Sequence, residues 1–577
     1  MEIAAAALQF TSTAIQAFHG CVIAIELFRT AQRMGADAEF FNTGLEFEKY
    51  RLIAWASRVG ILNDNENQII NWHLASMILG QLESLLTSAN VLRDKYSLDV
   101  SEADILAMNE SSTTESTRSS VSKLIARLKP DLHTNTSKII SESNSAGRKL
   151  RWAARDRDKL KGLLKQISWL VNKLEFLLDS TERQQERKNY NRLLREVISL
   201  TTTTTEAGQI RDLFDDEPST RKPINAAAYL KQVRLTLGAD KREDEIIPKQ
   251  PGNVAEVRLP KLAVLGRSLK PWGDYDLFSS SLEFATYRNQ QVLIQWKTTE
   301  RIQWERYTVQ MKCLAVFLLS LSDKSFHSLP CLGYYPLEAQ SRHGIMYSLP
   351  ESGDWDFRSL KTLISTHPFV SLKRRLEIMR EIADTVLQLH TAGWLHKSLR
   401  SENIIFLAPR GSDETVFLNS EPYVIGYEYS RSDTSDSAAL FTELPDTDLA
   451  ADLYRHPQAR GANRETFQKR FDMYAMACIF TELIMWKPLV EIFSSYVTPG
   501  LASTMNAAQA SNEAIKLPSL EELLQNESAV RCLVYQSGET LFEVVRKSAS
   551  AERAMEGEEA LLEDQTAIVN QLEWCRI

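Results

Sequence analysis

Residues 389–406 read Leu389-His-Thr-Ala-Gly-Trp-Leu-His-Lys-Ser-Leu-Arg-Ser-Glu-Asn-Ile-Ile-Phe406. An amphipathic pattern over 371–391 predicts a helix that ends at His390. Gly393 breaks it, residues 396–403 are polar, and Ile404-Ile-Phe406 opens an apolar, β-branched run. Helix, break, polar loop and buried strand give an α+β texture. Upstream, Gln291-Val-Leu-Ile-Gln-Trp296 reads as a strand of the same region.

The loop His396-Lys397-Ser398-Leu399-Arg400-Ser401-Glu402-Asn403 resembles the protein-kinase catalytic loop, H-R-D-L-x-x-x-N. Three more segments agree in order and spacing. Val292-Leu-Ile-Gln-Trp-Lys297 resembles the strand that carries the ATP-pairing lysine. Val424-Ile-Gly-Tyr-Glu-Tyr-Ser-Arg431 falls where the metal-binding D-F-G would stand. Tyr454-Arg-His-Pro457, followed by Arg470-Phe-Asp472, resembles the end of an activation segment and the buried helix after it. The resemblance implies a bilobal α+β kinase fold over 259–577.

The departures from the pattern bear on function. Ser398 stands where a kinase carries the carboxylate that orients the substrate hydroxyl, and Gly426 where it carries the Mg²⁺-binding aspartate. Phosphoryl transfer is mostly positioning and charge neutralisation, so losing both acids removes the centre of the mechanism. A serine hydroxyl is a poor base at about pH 7. No G-x-G-x-x-G precedes Lys297, and no acid lies between Glu305 and Asp323 to pair with it. The reading is a pseudokinase with no catalytic residue. His396, Lys397, Ser398, Arg400 and Asn403 form a degenerate loop, and Gly426, Tyr427 and Glu428 a degenerate D-F-G. Lys297 and Asn403 are the residues the resemblance offers to a nucleotide. ATP, with or without Mg²⁺, is then a ligand the fold allows and no cofactor is required. Asp472 is the expected structural anchor of the loop, and Tyr427 is expected in the core.

The chain has 577 residues, 44% apolar and 25% charged, with net charge −8. That length predicts three or four domains, or two large ones. The acidic balance argues against a general nucleic-acid binder. Cys21, Cys313, Cys331, Cys478, Cys532 and Cys575 are scattered without C-x-x-C or metal-ligand spacing, so neither a disulfide scaffold nor a metal site is expected.

Before residue 218 the only proline is Pro130, which predicts a helix bundle. Helical periodicity places helices at about 3–30, 37–62, 67–96, 150–168 and 170–199. Asp64 with Asn67 reads as a turn and cap before the third. The Ser/Thr-rich stretch 108–147 reads as a long loop with a short helix at 120–128, and Thr201–Thr205 as low complexity. The bundle is drawn at 1–205. A proline-marked, charged linker or brace follows at 206–258, with a helix at about 225–236.

Residues 3–25 carry no charged side chain, and Leu8, Ile15, Phe18, Val22 and Ile25 share one helical stripe. The segment is long enough to cross a bilayer and polar enough to stay packed in water, so both a membrane-insertion helix and a plain bundle helix remain open. Residues 148–165 hold eight bases and two acids. Among them Arg148, Lys149, Arg151, Arg155 and Lys159 are candidates for anionic lipid, at about 1 kcal/mol per cation near the surface; a solvated bundle face is the alternative.

The small-residue first helix and Gly44-Leu-Glu-Phe-Glu-Lys-Tyr-Arg-Leu-Ile-Ala-Trp-Ala-Ser-Arg58, then Asn63-Asp64, resemble the fungal HeLo domain over residues 1–215. The pattern L-x-x-x-x-x-R-L-x-x-W is met by Leu45, Arg51, Leu52 and Trp55, which are expected to be core packing. The resemblance implies a membrane-targeting cell-death effector of the heterokaryon-incompatibility type. Helical killer domain, brace and pseudokinase together resemble the layout of the mixed-lineage kinase domain-like necroptosis effectors. The expectation is therefore a multidomain chain, an all-α bundle followed by the kinase-like fold. Its partners would be anionic lipid, further copies of itself and an upstream signalling protein or kinase. It would sit in the cytoplasm until recruited to the plasma membrane. Two rivals stand beside this reading. One is an atypical active kinase that takes metal on Asp433, Asp436 or Glu428. The other is a scaffold whose bundle never touches lipid.

Overall fold

A computed structural model of the chain describes residues 2–29, 36–62, 70–96, 98–102, 120–142, 150–154, 157–214, 222–239, 270–271, 281–321, 323–350, 353–433, 448–461, 464–511, 515–550 and 557–575. The chain divides between Asn225 and Ala226 into two compact units.

Among the described residues the first unit is helical, with one two-stranded ribbon. Its elements are α1 (Glu2–Arg29), α2 (Ala36–Arg58), α3 (Trp72–Thr87), α4 (Ala89–Tyr96), β1 (Leu98–Glu102), α5 (Ser120–Leu128), α6 (Pro130–Glu142), β2 (Leu150–Ala154), α7 (Arg157–Glu175), α8 (Ser180–Leu200) and α9 (Thr204–Leu213). Short polar residues set several of the starts. Asn71 accepts from the Leu74 amide at 3.0 Å, and Asp179 accepts from Thr181 and Glu182 at 2.7 and 2.9 Å. Thr203 and Glu206 close a capping box at the head of α9, so the threonine run is a helix start. The turn expected at Asp64–Asn67 lies outside the described residues.

Three expectations for this unit are corrected. The stretch 108–147 is not one loop, because α6 follows α5 with Pro130 at its first position, where a missing N–H costs nothing. The helix expected over 67–96 is two, α3 and α4, parted at Ser88. Residues 150–154 are a strand, not the start of a helix. β2 pairs antiparallel with β1, with position 152 opposite position 100 in the backbone register.

In the core, α1 lies on α3, and α2 on α7 and α9. A Cβ at Gly44 would come within 2.7 Å of Leu164 and 2.9 Å of Leu213, so α2 can approach both neighbours only with glycine there. Phe47 meets Phe214 at 6.3 Å between centroids, and the packing continues past residue 205.

The divide between the units falls inside α10 (Lys222–Ala239). The second unit combines small antiparallel sheets with helices. Five strands pair in the order β3-β4-β5-β7-β6: β3 (Lys270–Pro271), β4 (Leu282–Tyr287), β5 (Gln290–Thr298), β6 (Cys331–Leu337) and β7 (Arg342–Ser348). Helix α11 (Trp304–Leu319) connects β5 to β6. Then come β8 (Trp355–Ser359), α12 (Leu360–Thr366), α13 (Leu372–Thr391), β9 (Trp394–Leu395), β10 (Ile404–Pro409), β11 (Pro422–Val424) and β12 (Arg431–Ser432). These form the sheets β11-β10-β8 and β12-β9. The helix Lys469–Met485 is buried along nearly its whole length. It packs with α13, which in turn packs on the last helix, Glu558–Trp574. Leu230 of α10 joins this core.

Candidate functional site

The loop 396–403 leaves β9 over the buried helix Lys469–Met485. That helix brings Asp472, fully buried, beneath it. Asp472 Oδ2 accepts from the His396 amide and Oδ1 from the Lys397 amide, both at 2.8 Å, and His390 Nε2 lies 3.1 Å from Oδ2. The carboxylate thereby holds Lys397 at φ 69°, a conformation side-chain-bearing residues seldom adopt. His396 is buried 4.7 Å from the Tyr427 ring. Burial pushes its pKa down to about 4, against the pull of Asp472, so the imidazole is neutral.

Asn403 Nδ2 donates to Ser398 O at 2.7 Å and to Ser398 Oγ at 3.1 Å, which closes the loop on itself. Arg400 reaches Asp448 at 3.3 Å. The cavity lined by Lys397, Ser398, Arg400, Tyr454 and Phe467 has about 20 Å³, room for roughly one water.

Across from the loop, Gly426 has φ 90°, and Tyr427 is fully buried beside it. The strand residue that reaches Gly426 is Gln295. Its Oε1 accepts from the Gly426 amide at 3.2 Å, and its Nε2 donates to Glu428 Oε2. Lys297 lies two residues on, on the same face of β5. Its ammonium donates to Glu428 O at 3.0 Å and sits 4.4 Å from the Tyr429 ring and 4.9 Å from Tyr307. Where a pairing acid would be sought, α11 presents Tyr307. Trp304 stacks on His343 at 4.0 Å, and burial, with Lys297 nearby, lowers the His343 pKa to about 4. The role of Gln295 was missed in the sequence. The signal lay in the period of two, which gives residues 295 and 297 one face.

These donors do not suit Mg-ATP. Positions 398 and 426 supply no carboxylate, Asn403 is spent on Ser398, and the Lys297 ammonium is enclosed by a carbonyl and two rings. Among the described residues no group of three His, Cys, Asp or Glu side chains is placed to hold a metal. Asp433, a metal ligand in the rival reading, instead meets Arg234 of α10 at 2.7 Å and Lys469 at 3.0 Å. Burial pushes its carboxyl up, and Lys469, Arg234 and Lys231 outweigh that and hold it below the usual range. Asp436 lies outside the described residues.

In the first unit, Leu45, Leu52 and Trp55 are fully buried. Arg51 is buried as well, and it does more than pack. Its guanidinium bonds Glu48 at 3.0 Å, Glu175 at 2.8 Å, Ser168 at 3.2 Å and Asn172, and lies 5.3 Å from the Tyr190 ring. One cation thus ties α2 to α7 and α8. Lys49, also buried, meets Glu26 of α1 at 2.6 Å and Glu46 at 2.9 Å.

Residues 5–213 match the HeLo family, described as prion-inhibition and propagation. The match spans the helical unit from α1 to the end of α9. The chain matches no curated protein.

Within this HeLo domain, Phe18, Val22 and Ile25 are buried, and Ile15 is half-buried. For Leu8 only the backbone is described. No helix among the described residues is long and apolar enough to cross a membrane. The basic cluster is not one helical face. Arg151 lies on β2, Lys159 on the first turn of α7, and Arg148, Lys149 and Arg155 fall outside the described residues.

Proposed function

We propose that the chain is a signal-controlled cell-death effector of the heterokaryon-incompatibility type. In this reading the HeLo domain is the executioner. The second unit is a pseudokinase of bilobal kinase ancestry that senses and restrains without phosphoryl transfer or Mg-ATP. The observation that carries the reading is the HeLo match over 5–213, joined in one chain to a kinase-like region with Ser398 in its loop and Gly426 across from it, at the two positions that phosphoryl transfer needs as acids. The sheet order β3-β4-β5-β7-β6, with α11 inserted after β5, and the Asp472 anchor support the kinase ancestry. The enclosed Lys297 supports the loss of catalysis. Upstream input, from a partner or a kinase, shifts the second unit between two states. The HeLo domain then self-associates and leaves the cytoplasm for anionic lipid of the plasma membrane, where α1 becomes the inserted element.

The test is dye release from phosphatidylserine vesicles by the full chain, wild type beside Asp433→Asn and Asp472→Ala, which loosen the second unit. Release by the variants above that of the wild type supports a restrained executioner. Sealed vesicles with folded, loosened variants overturn it in favour of the scaffold. Phosphate transfer from ATP that Lys297→Ala abolishes would favour the enzyme.

A further inference from the structure

Helix α7 has a committed inner face. Leu170, Val171 and Leu174 are at most 3% exposed. Its outer face carries Lys165, Trp169, Lys173 and Phe176, all exposed, at the i, i+4, i+8, i+11 spacing of one helical stripe. Phe176 follows the last residue of α7, but its amide still bonds Asn172 O at 3.1 Å, which keeps it on the stripe. Trp169 is 54% exposed and Phe176 56%. Each ring is paired with a cation. Lys173 Nζ lies 5.3 Å from the Trp169 centroid, and Arg183 Cζ lies 4.8 Å from that of Phe176.

Three acids of the same stretch are turned to other tasks. Glu175 bonds Arg51, Glu186 bonds Arg58 at 2.7 Å, and Asp179 caps α8. What remains outward is apolar ring with the Lys165 and Lys173 ammonium groups along it, while Arg183, half-buried, donates to Leu178 O at 3.5 Å. Aromatic rings of this kind settle at the headgroup level of a bilayer, and long cationic side chains keep their heads among the phosphates. The charge on the stripe complements an anionic leaflet.

Building on the membrane reading above, we propose that this stripe is the docking surface of the folded HeLo domain for anionic phospholipid, engaged while α1 is still packed on α3. Docking would then precede, and be separable from, any permeabilisation.

The test uses the full chain and dye-loaded phosphatidylcholine vesicles with and without phosphatidylserine, read by co-sedimentation and by dye release. The wild type is expected to sediment with the phosphatidylserine vesicles without releasing dye, and less as salt rises. Trp169→Ala with Phe176→Ala is expected to lower the partition coefficient roughly tenfold or more. Lys173→Glu is expected to act in the same direction, and Lys173→Arg to bind like the wild type. Both ring positions are more than half exposed, so an unchanged melting curve checks that the variants fold. If the double variant binds as tightly as the wild type, this surface is overturned while the membrane reading survives. If the wild type ignores vesicles of both kinds, the membrane reading falls and the proposal with it. If the double variant instead changes the sedimentation coefficient without vesicles, the stripe is a contact between copies and the proposal fails.

Discussion

A Cβ at position 426 would lie 2.2 Å from Asn403 Nδ2, well inside the 3.0 Å that a Cβ keeps from a heavy atom it is not bonded to. The same asparagine is bonded to Ser398 O and Oγ. On the proposed kinase ancestry, positions 403 and 426 correspond to the two metal ligands, and a side chain at 426 collides with the one at 403. Restoring the missing acids with Ser398→Asp and Gly426→Asp is expected to yield no phosphate transfer from ATP. Gly426→Ala alone should lower stability by about 1–3 kcal/mol, from the clash and the positive φ together, read by denaturant unfolding.

Asp472 satisfies two buried loop amides at once. Asp472→Ala leaves both donors unpaired and releases Lys397 from its left-handed conformation. A loss of about 2–4 kcal/mol is expected, with faster hydrogen exchange at residues 396 and 397. Asp472→Asn, which keeps one oxygen, should fall between the variant and the wild type.

Asp433 neutralises Arg234 and Lys469. Asp433→Asn leaves two largely buried cations without their acid, a change that costs about 3 kcal/mol when a buried pair is broken. The loss should appear first as faster exchange in residues 226–239 of α10. Replacing Arg234 and Asp433 together with apolar residues should recover part of it.

Two kinds of buried group set opposite pH limits. His343 and His396 have pKa values lowered from 6.5 to about 4, so the unfolded chain binds their protons first. Their contribution to stability is full above pH 6.5 and is lost as pH falls toward about 4. Glu482 runs the other way. Burial raises it from 4.5 to about 8, even though the Tyr454 hydroxyl and the Leu489 amide donate to it. The folded state holds a proton that the unfolded state releases, so stability declines as pH climbs from 4.5 to about 8. Thermal melts against pH should show both slopes, and Glu482→Gln should flatten the alkaline one.

Arg51 is bonded on every side. Arg51→Ala strands Glu48 and Glu175 in the core and should destabilise the HeLo domain by about 3–5 kcal/mol. Arg51→Lys, which cannot fork between helices, should recover only part of that. Chemical denaturation of the full chain, followed through the transition of the first unit, checks both.

Local signals account for what could be read in the chain. The loop 396–403 announces itself through a glycine break between helix and strand, and α5 lies over residues 120–128, where a short helix was expected. The HeLo motif shows Leu45, Leu52 and Trp55 as apolar positions, but periodicity cannot tell a packed arginine from a bonded one. The partners of Arg51 are more than a hundred residues away, apart from Glu48. β2 was hidden because five residues suit either period, and β1 decided the matter. Gln295 carries no charge to mark it beside Lys297, whereas its position on the strand gives the amide the central place. The ring and cation stripe of α7 escaped notice because its charges merge with the basic run before it.

Lys49 gives α1 a property that its apolar packing alone would not. Hydrophobic contact between α1 and α3 weakens in proportion as the helices part, so it resists movement gradually. The charge-assisted hydrogen bond from Lys49 to Glu26 depends on contact distance and angle, and the ammonium is only 3% exposed. Any displacement of α1 therefore meets its steepest resistance in the first ångströms, when that cation loses one of its two carboxylates before water can replace it. Beyond that point the remaining opposition is the burial of Phe18, Val22 and Ile25, which yields in step with the area exposed. A helix held in this way meets the clasp first and its apolar burial throughout, so small fluctuations leave it seated.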